Sequence, residues 1–195
     1  MKLFFPRSLA LAAALALGFP AVARAADTYE IDTAHTHVGF QVSHLGFSET
    51  YGVFKNVSGT LALDEAKPEA SKIDVTIDVA SIDTANEKRD EHLKGKDFFD
   101  VAQYPTMSFK STKVEVTGKD TANVTGDLTL HGVTKPVGLV VKLNKAGESP
   151  MRKGTFVAGF SALGKLKRSD FGIKTYVPMI GDEVTIAIST EAVRK

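Results

Sequence analysis

The sequence predicts an all-β protein, an eight-stranded antiparallel up-and-down barrel with a short helical insertion around residues 84–102. Three observations predict it. Apolar residues recur with a period of two along most of the chain, as half-buried strands require. Gly, Asn, Asp and Pro fall between most of these segments, where turns need a positive or fixed φ. One stretch alone, "SIDTANEKRDEHLKGKDFFD" at residues 81–100, abandons the alternation. Strands of this number and apolar facing could also form a sandwich; their length favours a closed barrel, which leaves no exposed edge.

The first 25 residues read as a secretory leader. Lys2 and Arg7 give a positive start, residues 8–19 an apolar run too short to span a bilayer, and Ala23-Arg24-Ala25 a cleavage pattern, with cutting after Ala25. The expectation is an exported, periplasmic protein with one domain over residues 26–195. The chain carries 24 Lys+Arg and 23 Asp+Glu; losing Lys2, Arg7 and Arg24 leaves 21 − 23 = −2. That balance argues against a nucleic-acid partner, which needs a concentrated basic face. No other segment approaches membrane-spanning length, so no stable membrane insertion is expected. There are no cysteines to form disulfides or bind metal.

In chain order, the first strand occupies about residues 28–45, with Val38, Phe40 and Val42 on its apolar face and His44 sharing that face by parity. A second lies near 53–63 and contributes Phe54. The clearest alternation follows: Ile73, Val75, Ile77 and Val79 against Lys72, Asp74, Thr76 and Asp78. Next comes the insertion. Thr84 with Glu87 three residues later reads as a capping box, Gly95 suits a left-handed residue after the helix, and Asp90 is spaced to pair with Lys94. Phe98 and Phe99 then anchor the following turn to something apolar. The remaining strands run near 105–117 (Met107, Phe109), 121–130 (Ala122, Val124, Leu128, Leu130) and 135–144 (Val137, Leu139, Val141, Leu143). The last two carry Phe156, Ala158, Phe160 and Ala162, then Val184, Ile186 and Ile188.

His35, His37 and His44 lie within ten residues of one another, and histidine is the commonest metal ligand. His35 and His37 fall with Gly39, Gln41 and Ser43 on the face opposite His44, so the three do not converge. A strand H-x-H needs further ligands from elsewhere, and only His92 and His131 remain. No metal and no other cofactor is therefore expected, although a metal-binding barrel built on His35 and His37 stands as an alternative. The common hydrolase signatures and phosphate loops are missing. No catalytic residue is assigned; a lipid-modifying enzyme using His44, His92 or Asp170 as acid or base is the other alternative.

Four stretches carry a resemblance: "YEIDTAHTHVGFQVSHLGFSETYGVF", "RDEHLKGKDFFDVAQYPTMSFKST", "GDLTLHGVTKPV" and "RSDFGIK". In this order, and across almost the whole mature chain, the sequence resembles the YceI-like family of exported, lipocalin-like proteins that bind polyisoprenoid or other long-chain lipids. The resemblance implies a lipocalin-like barrel with an elongated apolar cavity, a periplasmic location and often a homodimer. It implies no reaction. The expected function is binding of a long-chain isoprenoid or related lipid, such as a polyprenyl lipid, a quinone or a fatty-acid derivative.

Wall residues for such a tunnel come from each strand. The early strands offer Val38, Phe40, Val42, Phe54, Val75 and Ile77; the later ones offer Met107, Phe109, Leu128, Leu130, Phe156, Phe160 and Ile186. A polar head is expected at the mouth, beneath a charged lid formed by the insertion. His44, Arg89, Asp90 and His92 are candidates there, with Arg168 and Asp170 of "KRSDFG" as a second group; arginine suits a carboxylate or phosphate because its fork makes two parallel bonds. Arg89–Asp90 and Arg168–Asp170 could equally be structural ion pairs.

Overall fold

A computed structural model of the protein describes residues 26–195; the expected leader at residues 1–25 lies outside the described residues. Eleven strands form one antiparallel sheet that closes on itself. Six of them are halves of three broken strands, so the barrel has eight staves. The first stave is β1 (Asp27–Ile31) and β2 (His37–His44), the second β3 (Ser48–Phe54) and β4 (Val57–Leu63), and the third β5 (Lys72–Asp78) and β6 (Ile82–Asp83). Five unbroken strands follow: β7 (Thr106–Gly118), β8 (Thr121–Leu130), β9 (Val133–Ser149), β10 (Arg152–Lys167) and β11 (Ile180–Arg194). Each stave pairs with its predecessor, and β11 closes the ring against both halves of the first, with Tyr29 opposite Arg194 and Phe40 opposite Ile186.

The breaks have local causes. A 3-10 turn at Thr33–His35 interrupts the first stave, and the Asp32 side chain caps it by accepting the Ala34 amide at 3.0 Å. The second and third staves break side by side. Ser81, in the 3-10 turn Val79–Ser81, accepts the Lys55 and Asn56 amides on its hydroxyl at 3.1 Å each and donates to the Asp78 carbonyl. One buried hydroxyl thus bonds three backbone groups at the point where the ladder is interrupted.

The insertion carries the one α-helix among the described residues, α1 (Glu87–Lys94), and its details differ from those expected. The cap is Asn86, which accepts the Arg89 amide at 3.0 Å, and not Thr84. Ala85 turns the chain at φ 59°, which leaves Asn86 in extended backbone at the cap. Gly95 is extended at φ −72°, not left-handed. Asp90 does not pair with Lys94. It is buried and accepts both the Thr84 amide (2.9 Å) and the Thr84 hydroxyl (2.6 Å), while Lys94 meets Glu91 at 3.0 Å. Phe98 is buried and Phe99 stands edge-on to Phe54, ring centres 5.6 Å apart, so the phenylalanine pair does anchor the turn to the barrel. No helix of the described residues is long and apolar enough to cross a membrane.

Inward positions alternate as the sequence suggested, with a qualification that shapes the interior. Among them are three glycines that each lie beneath a large side chain of the neighbouring strand. The Phe40 ring covers Gly52, the Phe109 ring covers Gly126, and Leu139 covers Gly164. These side chains lie back along the wall and not across the lumen. A Cβ at Gly126 would strike the Phe109 ring and approach the Lys110 carbonyl oxygen to 2.6 Å. Gly126→Ala is therefore expected to destabilise the fold by about 1–3 kcal/mol, as overpacking does, lowering Tm by about 2–4 °C for each kcal/mol at this size. Thermal denaturation followed by circular dichroism checks this; an unchanged Tm would contradict the packing described.

Candidate functional site, an apolar cavity closed at one end

The staves enclose a cavity of about 530 Å³. Twelve of the thirteen expected wall residues line it: Val38, Phe40, Val42, Phe54, Val75 and Ile77 from the first three staves, and Met107, Phe109, Leu128, Leu130, Phe160 and Ile186 from the others. Phe156 does not. It lies beneath the Arg194 guanidinium, 3.8 Å from the ring centre, and Arg194 in turn bonds Asp27. A register shift between Arg152 and Phe156 ends the regular β9–β10 pairing just before it.

The lining also includes Val114, Val116 and Ala146, which strict alternation does not select. A bulge between Ser111 and Lys113 carries β7 from odd to even inward positions, and one opposite Gly159 and Phe160 does the same to β9. Neither bulged segment carries a glycine or proline of its own to announce it. Thr36 is buried and shares a hydrogen bond with Thr190 (2.7 Å), the one side-chain pair within the lining that faces polar atom to polar atom.

The two ends differ. At one, the lining consists of buried or half-buried groups: Leu93, Phe98, Phe99, Ile173, Ile180 and Arg168. At the other it reaches exposed residues: Glu65, Pro68 and Lys72 beside β5, and Gly118, Lys119 and Asp120 in the β7–β8 hairpin. The mouth is therefore opposite the insertion, and the insertion is a plug and not a lid over the mouth. The expectation of a lid failed because apolar anchors such as Phe98 and Phe99 seal an end at least as well as they hinge one.

That geometry separates the six polar candidates. His44 and Arg89 border a shallow polar surface pocket with Ser48, Glu49, Thr50, Tyr51 and Thr84, outside the lumen. Arg89 is spent on Thr84, donating from Nε to the hydroxyl and from Nη2 to the carbonyl, each at 2.7 Å. Asp90 serves the same Thr84, so the two charges meet on one threonine and not on each other. His92 is exposed and stands edge-on to Phe98. Asp170 is exposed and pairs with Lys135 at 3.2 Å, not with Arg168. Of the six, Arg168 alone lines the cavity. It donates to the carbonyls of Gly181 (2.8 Å), Ile180 (2.9 Å) and Ile173 (3.2 Å), and so ties the 3-10 turn Arg168–Phe171 to the start of β11. Burial draws its pKa below the usual arginine value, with the Asp182 charge opposing.

His35 and His37 do not form a metal pair. The 3-10 turn lifts His35 out of the strand while His37 begins β2. His35 Nδ1 meets Asp32 at 2.9 Å, with Glu191 close by, in an exposed group that excludes His37.

A family model for the YceI-like domain matches residues 29–192. The chain belongs to the YceI-like family. A family relative, a UPF0312 protein of Pseudomonas savastanoi pv. phaseolicola, is 48% identical over 189 residues, covering 94% of this chain and 96% of that one. The crystal structure of Burkholderia cenocepacia BcnA matches with a TM-score of 0.74 at 29% identity, over 83% of this chain and 98% of the other. A polyisoprenoid binding domain from Saccharophagus degradans shares the fold with a TM-score of 0.65 at 15% identity, over 86% and 98%.

The His35–Asp32 pair gives a pH signature. Its hydrogen bond raises the His35 pKa above the ordinary histidine value and lowers that of Asp32, against the effect of partial burial on the latter. The histidine contribution is complete below the ordinary histidine value and disappears as pH rises through the raised one. The aspartate contribution is present above the ordinary carboxylate value and is lost as pH falls through the lowered one. In an NMR titration, Asp32→Asn is expected to move the His35 midpoint downward. A midpoint that stays in place would contradict the pairing.

Proposed function

We propose that this protein is an exported carrier that holds a long apolar chain, of the isoprenoid or fatty-acid kind, without chemical change. The observation that carries the reading is the lumen itself: a closed barrel whose inward positions are apolar along almost its full length, open at one end and plugged at the other. An apolar cavity of about 150 Å³ holds one benzene, so on that scale this one accommodates about twenty carbon atoms. At about 0.8 kcal/mol for each CH₂ removed from water, filling it contributes about 16 kcal/mol before the costs of association. Little polar recognition is needed for tight binding. A chain longer than about twenty carbons would leave its remainder outside the mouth. Export to the periplasm is supported by the leader pattern of residues 1–25. The description of the S. degradans domain as polyisoprenoid binding is consistent with the reading, although at 15% identity that neighbour speaks for the fold alone.

Native mass spectrometry of protein isolated gently from a periplasmic extract tests the proposal. The expected result is one long-chain lipid per chain, released by organic solvent. Protein that arrives empty and also takes up neither added polyprenyl lipids, quinones nor fatty acids would overturn it.

A further inference from the structure

The blind end of the cavity holds a buried guanidinium with no carboxylate against it. Arg168 is 6% exposed and lines the lumen just beyond Leu166, where β10 leaves the barrel wall. A guanidinium has five N–H bonds. Three go to main-chain carbonyls, and one on each terminal nitrogen has no protein acceptor. Among the described residues Arg168 belongs to no ion pair. Asp182, the nearby acid, has its two oxygens occupied by the Ser169 amide (2.9 Å) and hydroxyl (2.8 Å).

Carbonyl dipoles fix the orientation of this group, and the Asp182 charge acts on it without forming an ion pair with it. A buried charge of this kind is costly until an opposite charge reaches it, and a planar fork with one free N–H on each terminal nitrogen matches the two oxygens of a carboxylate. The lysines at the mouth compare poorly. Lys72 and Lys119 are exposed and share the rim with Glu65 and Asp120, so water and neighbouring acid weaken their hold on an anion.

We propose that the ligand is a single-chain long carboxylic acid that enters head first, its carboxylate on Arg168 and its tail running back toward the mouth. This rests on the carrier reading above and names the ligand class for it. The carboxylic acid differs from a permanently charged phosphate in one useful way. It can cross the apolar lumen in its neutral form and ionise beside the guanidinium, releasing one proton.

The test uses octadecanoate, octadecanol and octadecylamine, which share a chain and differ at the head, as competitors of a fluorescent apolar probe bound to the whole protein. The expected order is acid, alcohol, amine, with the acid at least about tenfold tighter than the alcohol, as a charged hydrogen-bonded pair in a dry site gives. Arg168→Gln is expected to remove the preference, so that acid and alcohol bind alike, whereas a Lys72→Gln, Lys119→Gln double variant keeps the preference. Equal binding of acid and alcohol would overturn the head-group assignment while leaving the carrier reading intact. Displacement by none of the three would sink the carrier reading itself. A preference that vanishes with the lysines and survives Arg168→Gln would place the head at the mouth and overturn the inference. Should Arg168→Gln fail to fold, octadecanoate carrying a ¹³C-carboxyl label is titrated in the unsubstituted protein. Its midpoint is expected below that of an ordinary carboxylic acid; a midpoint at or above the ordinary value would contradict a carboxylate paired with arginine.

Discussion

The interior of this barrel depends on a packing choice: large inward side chains lie over glycines of the adjacent strand. An eight-stranded barrel is just wide enough for its own side chains to fill. Here Phe40, Phe109 and Leu139 fold back over Gly52, Gly126 and Gly164, and the centre of the lumen is left free. Phe109 is still buried and Phe40 and Leu139 are half-buried, so much of their contribution to stability is kept. What changes is where their volume sits. A cavity thus arises whose walls are apolar along most of its length, and such a cavity favours an apolar guest.

The ends of the barrel then determine direction. At the insertion end, Thr84 gathers Asp90 and Arg89 on its backbone and hydroxyl, Phe98 and Phe99 fill the gap beside β6, and Arg168 ties the chain after β10 to the start of β11. Asp90 and Arg89 are spent on Thr84, and Arg168 gives three of its five N–H bonds to the main chain, which is why the end can be both charged in sequence and closed in structure. The opposite end is finished by a hairpin and a loop that leave the lumen open. Polarity along the barrel axis follows from which end is plugged, and a guest must enter and leave by the same door.

Most of the wall was legible in the sequence, because parity along a strand survives wherever pairing is regular. Val38, Phe40, Ile77, Leu128 and Ile186 face inward as their spacing implies. The reading failed where pairing departs from regularity for reasons that involve a second strand. Val114 and Val116 entered the lumen through a bulge set by the β7–β8 register, which no residue of β7 advertises. Phe156 has the right parity but sits at the last regular pair, opposite Glu148 and beneath Arg194. The polar candidates were harder still. Charge and spacing show that Arg89, Asp90 and Arg168 are unusual on an otherwise ordinary surface, yet only the fold shows that two serve Thr84 and one faces the lumen. Thr84 offers the better capping motif in sequence, but the left-handed Ala85 shifts the helix start so that Asn86 caps it.

Isothermal titration with a series of unbranched fatty acids of increasing length bears most directly on the claim that an empty apolar lumen governs this protein. The account predicts that binding strengthens by up to about 0.8 kcal/mol for each added CH₂ and levels off near about twenty carbons, where the lumen is full. Affinity that is independent of chain length, or that rises without limit, would contradict it.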